Sequence, residues 1–325
     1  MKILITGATG FIGSYTAYAV KDFFNCDVIA PVRKTDGYKN TKSLAEKGII
    51  LKEGNFYEKD FLHSIFNENE IDYVIHLASE RGAGKGSWED YEKINVTGTK
   101  HLLDLSYENG VKRFIYCSSV GVWGTIPQKL PPDETTPYIG DSFYHKSKIE
   151  AEKIVNTFTD RGLDGIIIRP TITYGLGDDG FPSILIKLVK NKMFFLPGKD
   201  IRVHFVSVRK IAELVVKLIK AEQLNYRVYP AVDMNPVSLK KMVNLIYDHY
   251  YGKKYPPYMK LPVCVFNIAE FLSRIFKCDL WTTRFKLISR NWYYNGEIFE
   301  KELEFTPGDT ILHFKNYLNE VKDTK

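Results

Sequence analysis

Hydrophobic positions in the first half of the chain fall into short unbroken runs. Each run is followed by a stretch in which apolar residues recur every three or four positions. Unbroken runs suit strands buried on both faces, and the longer spacing suits amphipathic helices. The pattern predicts strands at 3–6, 27–32, 49–52, 73–76, 114–117 and 165–168, with helices between them, notably at 11–23, 95–107 and 142–157. Such alternation predicts an α/β fold of the Rossmann type, a doubly wound parallel sheet. After Arg169 the rhythm changes. Gly175, Gly177 and Gly180 precede a helix near 182–190, an alternating strand at 201–206, a helix at 208–218 and a strand at 227–229. From Asn235 the chain reads as helical with aromatic-rich connections. The expected organisation is a sheet domain from 1–175 plus about 201–235, with a smaller, mainly helical domain from about 176–200 and 236–325. The segment 253–262, rich in proline and tyrosine, gives no assignment.

At 325 residues and 44% hydrophobic content the chain has enough apolar residues for one large core and a smaller one. No run reaches the ~18 apolar residues of a membrane span, and the opening residues run straight into a strand, so a cytoplasmic protein is expected. Cys26, Cys117, Cys264 and Cys278 show no metal-ligand spacing and read as free thiols, and no metal site is expected. The net charge is +6, with basic residues spread along the chain. That suits a phosphate-bearing small molecule and gives no reason to expect nucleic acid.

The first strand runs into Gly7-Ala8-Thr9-Gly10-Phe11-Ile12-Gly13 and then at once into a helix. Gly7 permits the tight turn, Gly10 lets backbone approach a pyrophosphate, and Gly13 lets helix and strand pack. The helix N-terminus then offers unpaired N–H groups to that phosphate. This predicts a dinucleotide cofactor on the sheet domain, leaving the smaller domain for substrate. Arg33 and Lys34 follow the second strand, with no acidic residue before Asp36. A basic pair there accommodates a ribose 2′-phosphate, so NADP is favoured over NAD.

Tyr144 and Lys148 are spaced i, i+4 on a predicted helix and share a face. Free tyrosine titrates near ~10. A lysine ammonium ~5–6 Å away, at an effective dielectric of ~20, favours phenolate by ~3 kcal/mol, or about two pK units. That is the base needed to take a proton from an alcohol during hydride transfer. The preceding strand ends in Cys117-Ser118-Ser119 at the sheet's carboxyl edge, where ligands bind in open α/β sheets. Ser119 then faces the substrate oxygen, the alternative being a serine pair that merely caps the strand.

Taken together these motifs resemble the extended short-chain dehydrogenase/reductase family, also called the NAD-dependent epimerase/dehydratase superfamily. The resemblance rests on Thr6–Gly13, His76-Leu77-Ala78-Ser79, Asn95-Val96-Thr97-Gly98-Thr99, Ser118–Gly124, the Tyr144/Lys148 pair and Arg169–Gly175. It implies that Ser119 and Tyr144 touch the substrate oxygen, that Lys148 binds nicotinamide ribose, and that Asn95 supports the active-site helix. It also implies cofactor contacts from Asn55 and Phe56 beside adenine, from Leu77, Ala78, Ser79 and Cys117 in the central groove, and from Pro170 and Thr171 at the nicotinamide. His76 reads as structural. The family often pairs the helices beginning near Asn95 and Ser142 across a two-fold axis, which implies a homodimer.

Departures from the family pattern bear on the reaction. Val120-Gly121 stand where sugar dehydratases carry an Asp-Glu pair, so water elimination is not expected. Ile172 replaces an asparagine of sugar-nucleotide enzymes, and Arg202 is displaced by one residue on a strand read as alternating, which would send it to the other face. These features resemble the 3β-hydroxysteroid dehydrogenase and dihydroflavonol reductase branch. The leading expectation is therefore hydride transfer between NADP(H) and a secondary alcohol or ketone. Phe266, Phe271, Phe276, Trp281, Trp292, Tyr293 and Tyr294 would form an apolar pocket or plain core. Two alternatives are a nucleotide-sugar epimerase and a non-catalytic NADP-sensing or scaffold protein. The segment 80–87, with Gly82, Gly84 and Gly86, reads as a cover over the site or a simple connector.

Overall fold

The computed structural model describes residues 1–36, 40–81, 86–276, 278–296 and 300–323. The expected connector at 80–87 falls partly outside them, at residues 82–85. The first half alternates strand and helix: β1 (Lys2–Thr6), α1 (Phe11–Phe24), β2 (Asp27–Val32), α2 (Thr41–Glu46), β3 (Ile50–Glu53), α3 (Lys59–Glu68) and β4 (Tyr73–His76). A short α4 (Trp88–Tyr91) passes through a π-helical stretch, Glu92–Thr97, into α5 (Gly98–Glu108). Then come β5 (Arg113–Cys117), α6 (Phe143–Asp160) and β6 (Gly165–Pro170).

The remainder comprises β7 (Ile172–Tyr174), α7 (Phe181–Lys190), β8 (Leu196–Pro197), β9 (Arg202–Val203), β10 (Phe205–Ser207), α8 (Val208–Lys220), β11 (Val228–Ala231) and β12 (Val237–Ser238). After these lie α9 (Leu239–Tyr251), β13 (Lys260–Leu261), α10 (Val263–Ile275), α11 (Asp279–Ser289), α12 (Glu300–Leu303) and α13 (Thr310–Asp323).

Seven parallel strands form one sheet in the order β11-β6-β5-β4-β1-β2-β3. Successive side chains of a strand point to opposite faces, and here both faces are covered. Ile3, Ile5, Val28, Ala30, Ile75, Ile115, Ile166 and Ile168 enter one apolar core, while Leu4, Ile29, Val74, Phe114, Tyr116 and Ile167 enter the other. This double burial is why the strands read as unbroken apolar runs rather than alternating ones. The chain runs outward from β1 through β2 to β3 and then returns to β4 on the other side of β1. The crevice between β1 and β4 is thus the switch point at which such sheets bind ligands.

One expected strand is wrong in kind. The span 201–206 is two short strands broken at His204, and every residue from Val203 to Ser207 is buried. The break has a local cause: the His204 ring is held between the Asp233 carbonyl (2.8 Å) and the Tyr294 N–H (3.2 Å). β9 pairs with β12 and β10 with β7, so the two halves belong to different ladders. Within β9 Arg202 faces outward and Val203 inward, so the one-residue displacement does turn the arginine away from the buried side. Arg202 is exposed, with its guanidinium 5.3 Å from the Tyr293 ring.

Candidate active site

The glycine loop sits where β1 meets α1. Gly7 has φ of +75°, and a Cβ on it would come within 2.6 Å of the Ala78 nitrogen. A Cβ on Gly13 would lie 2.0 Å from the Gly7 carbonyl oxygen. Glycine is therefore enforced by contact at both positions. Gly10 caps α1 with no side-chain hydrogen bond and no acidic residue in the first turn, so the turn spanning Phe11, Ile12 and Gly13 keeps its positive end for an anion. That arrangement fits a dinucleotide pyrophosphate. Thr9 is fastened through its carbonyl to the Asn40 amide at 3.0 Å.

Leu77, Ala78 and Ser79 leave β4 against this loop, with the Leu77 N–H on the Thr6 carbonyl (3.2 Å) and the Ala78 N–H on the Thr6 hydroxyl (3.3 Å). His76 lies buried between Thr6 (2.6 Å) and Thr99 (2.9 Å). Burial drives its pKa down to about 3, so it remains a neutral structural ring. Asn95, in the π-helical stretch, joins three segments. Its carboxamide oxygen accepts from the Glu80 N–H (2.7 Å) and the Ser79 hydroxyl (3.1 Å), and its NH2 donates to the Glu80 carbonyl and the Ser147 hydroxyl (both 2.9 Å). Ser147 in turn donates to the Tyr144 carbonyl at 2.8 Å.

Ser119, at the end of β5, accepts from the Gly121 N–H at 3.0 Å and opens a buried 3-10 turn, Val120–Trp123. The serine-cap alternative is thus partly realised, and Ser119 also lies near enough to the Tyr144 phenol to favour its ionised form. Lys148 is buried, donates to the Cys117 carbonyl at 2.8 Å, and sets its ammonium 5.8 Å from the Tyr144 ring centre. Lys148 thus lies beside the Tyr144 ring, with Ser119 at the neighbouring turn. The expected electrostatics do not follow. Burial pushes Tyr144 up to about 12, and the main opposing charge is the Arg81 guanidinium, with Ser119 assisting. Burial likewise lowers Lys148 to about 8. At this depth desolvation outweighs the ammonium–phenol attraction.

Arg81 has no sequence motif. It acts on Cys117, Tyr144, Lys148 and Asp178, so it brings positive charge to the mouth of the crevice. Arg169 opens a family motif, but its role is visible only in the structure. Its buried guanidinium grips Glu152 of α6 through two hydrogen bonds (2.9 and 2.6 Å) and lies 4.6 Å from the Trp123 ring. The Tyr294 ring stacks on the same indole, centroids 5.9 Å apart.

The remaining expected cofactor residues divide. Pro170 and Thr171 are buried at the end of β6, with the Thr171 hydroxyl donating to the His204 carbonyl at 2.9 Å. The Cys117 thiol is buried and its pKa is raised by desolvation. Asn55 donates to Glu58 at 2.8 Å, while half-buried Phe56 packs toward His76, ring centres 5.3 Å apart. Arg33 is exposed at the tip of β2, and Lys34 lies beside Glu53, which also accepts from the Thr35 N–H and hydroxyl at 3.0 and 2.8 Å. Of the C-terminal aromatics, Phe266, Trp292 and Tyr294 are buried, whereas Phe271, Phe276 and Trp281 are exposed and belong to neither core nor pocket. Among the described residues no cluster of metal-ligating side chains occurs, and no helix is long and apolar enough to cross a membrane.

A parallel sheet with an uncapped helix at its switch point defines the Rossmann class of dinucleotide-binding α/β fold. The chain belongs to the NAD dependent epimerase/dehydratase family, whose model matches residues 3–230. It is similar to the N-acetyl-alpha-D-glucosaminyl-diphospho-ditrans,octacis-undecaprenol 4-epimerase of Escherichia coli O157:H7, with 28% identity over 80% of this chain and 75% of that one. It is 26% identical to the bovine (Bos taurus) UDP-glucose 4-epimerase over 78% of this chain and 83% of the relative. In fold it matches a UDP-glucose 4-epimerase of Thermotoga maritima crystallised with UDP-glucose: TM-score 0.79, 20% identity, 100% of this chain and 99% of that one. These relatives are enzymes, so the scaffold alternative loses its ground. They match the epimerase alternative better than the alcohol dehydrogenase expectation.

Proposed function

We propose that this enzyme epimerises a hydroxyl-bearing carbon of a diphosphate-linked sugar. The observation that carries the reading is the Ser119–Tyr144–Lys148 cluster with no acidic pair behind Ser119, in a chain whose relatives over about four fifths of its length are 4-epimerases. One argument for a steroid-type alcohol has also fallen away: three of the supposed pocket aromatics face outward.

When bound, the nicotinamide supplies reversible hydride acceptance. Tyr144 removes the hydroxyl proton as the carbon loses its hydride, and Ser119 holds the oxygen as it becomes a carbonyl. Tyr144 gives the proton back once the sugar ring has turned its other face. Lys148, fixed by the Cys117 carbonyl, would hold the cofactor ribose and keeps its ammonium near the phenol. Burial moves Tyr144 still further above neutral pH than a free phenol, so the nearby Arg81 charge, which opposes that rise, favours its action as a base. Arg33 and Lys34 favour NADP over NAD, and the helix pair α5 and α6 is the surface for a homodimer.

With UDP-linked sugars and either cofactor, turnover is expected, and Tyr144→Phe lowers kcat by about 10²- to 10⁴-fold. Calorimetry should show UDP or dTDP binding. Failure of both nucleotides to bind, with reduction of simple ketones instead, returns the enzyme to the dehydrogenase reading. Tighter binding of NAD than of NADP overturns the cofactor preference alone.

A further inference from the structure

Helix α10 is built inside out. In α10 the residues facing the protein at i, i+4 and i+7 are Phe266, Glu270 and Ser273, whereas the opposite face carries Ile268, Phe271, Leu272 and Ile275, all exposed. Beside Phe266, the buried side is polar and its polar groups are engaged. Glu270 accepts from Arg274 (2.8 Å) and Arg290 (2.6 Å), and Ser273 shares a hydrogen bond with Thr282 of α11 at 2.8 Å. A helix of a water-soluble domain places its apolar stripe inward. Here the polar network holds the hairpin together and leaves the apolar stripe outside. Phe276 at the end of α10 is 73% exposed, and Trp281 at the start of α11 is 52% exposed.

Charge narrows the choice of what covers this face. Basic residues are spread along the chain, but the excess is not. Residues 253–290 hold eight Lys and Arg against two Asp and Glu, a net of +6, which is the formal charge of the entire chain. The rest of the protein is balanced. Two copies meeting through such a face would bring like charges together. A nucleic acid would answer the charge but leave the isoleucine and phenylalanine stripe uncovered. An anionic bilayer surface answers both: acyl chains take up the apolar face, lipid phosphates meet Lys253, Lys254, Lys260, Arg284 and Lys286, and an indole such as Trp281 favours the headgroup boundary.

We propose that the α10–α11 hairpin docks this protein onto anionic membrane surfaces, lying in the interface without spanning the bilayer. The chain leaving the hairpin runs through buried Trp292 to Tyr294, which stacks on Trp123 of the turn that follows Ser119. The inference does not depend on the epimerase reading, because its test uses neither sugar nor cofactor.

The full-length protein is sedimented with phosphatidylcholine vesicles, with and without phosphatidylglycerol. The expected result is pelleting with the phosphatidylglycerol vesicles that weakens as salt is raised. Ile268→Glu combined with Ile275→Glu should reduce vesicle affinity by about tenfold or more, with the melting temperature kept because both side chains are exposed. Brominated acyl chains should quench Trp281, read as the difference between wild type and Trp281→Phe. Absence of pelleting, pelleting indifferent to the double substitution, or an unquenched Trp281 overturns the proposal. So does conversion of a dimer to monomer by the same substitution without vesicle binding, which would make this face a contact between copies.

Discussion

Lys148 shows how far burial governs the site. Its folded pKa, about 8, lies below its ordinary value near 10.5, so between those values the unfolded chain binds more protons than the folded one. Stability from this residue therefore rises as pH increases from about 8 to 10.5, and below 8 the buried charge is a standing cost. Tyr144 has the opposite sign. Its pKa is raised from 10 to about 12, so the stability it contributes below 10 is lost as pH climbs through that window. Denaturant titrations across pH 7 to 10 should show the wild type gaining stability relative to Lys148→Met over the upper part of this range. A pH-independent difference between the two would show that Lys148 is not desolvated. The Tyr144 and Lys148 positions were legible because i, i+4 spacing survives in any helix. Their electrostatics were not, because desolvation depends on neighbours such as Arg81 that no motif marks.

Among the elements, α6 carries the acid–base residues, and its seating on β6 depends on the buried Arg169–Glu152 pair. Removing one member strands the other charge in the interior, costing about 3–5 kcal/mol, whereas replacing both with apolar residues of similar size is close to neutral. Urea denaturation of Glu152→Leu, Arg169→Met and the double variant should show that non-additive pattern. Equal and additive losses would indicate that the pair is solvated. The strands of the parallel sheet were readable to within about a residue or two at most ends, since their double burial writes itself as apolar runs. The span 201–206 misled because its alternation was only local, and the break at His204 comes from Asp233 and Tyr294, distant in sequence. The π-helical stretch that aims Asn95 likewise has no signature in residue spacing.

For the molecule as a whole, a charge-balanced body carries a basic, outward-apolar hairpin, and one aromatic contact connects them. Trp123 touches the Tyr294 ring and the Arg169 guanidinium. Tyr294→Leu should lower turnover by about tenfold or more through misplacement of Ser119, with dinucleotide affinity unchanged. Unaltered turnover would mean that the contact is simple packing. Neither the aromatic contact nor the inverted helix was legible beforehand: aromatic content alone suggested a core or a pocket, and only coordinates reveal which rings meet water.

The chain holds four tryptophans, and three of them follow one route: Trp281 in water, Trp292 in the interior, Trp123 at the serine turn. The exposed Trp281 emits to the red of the two buried indoles. Events at the outer helices and events at the crevice thus register at different wavelengths, and either can be followed in solution without attaching a label.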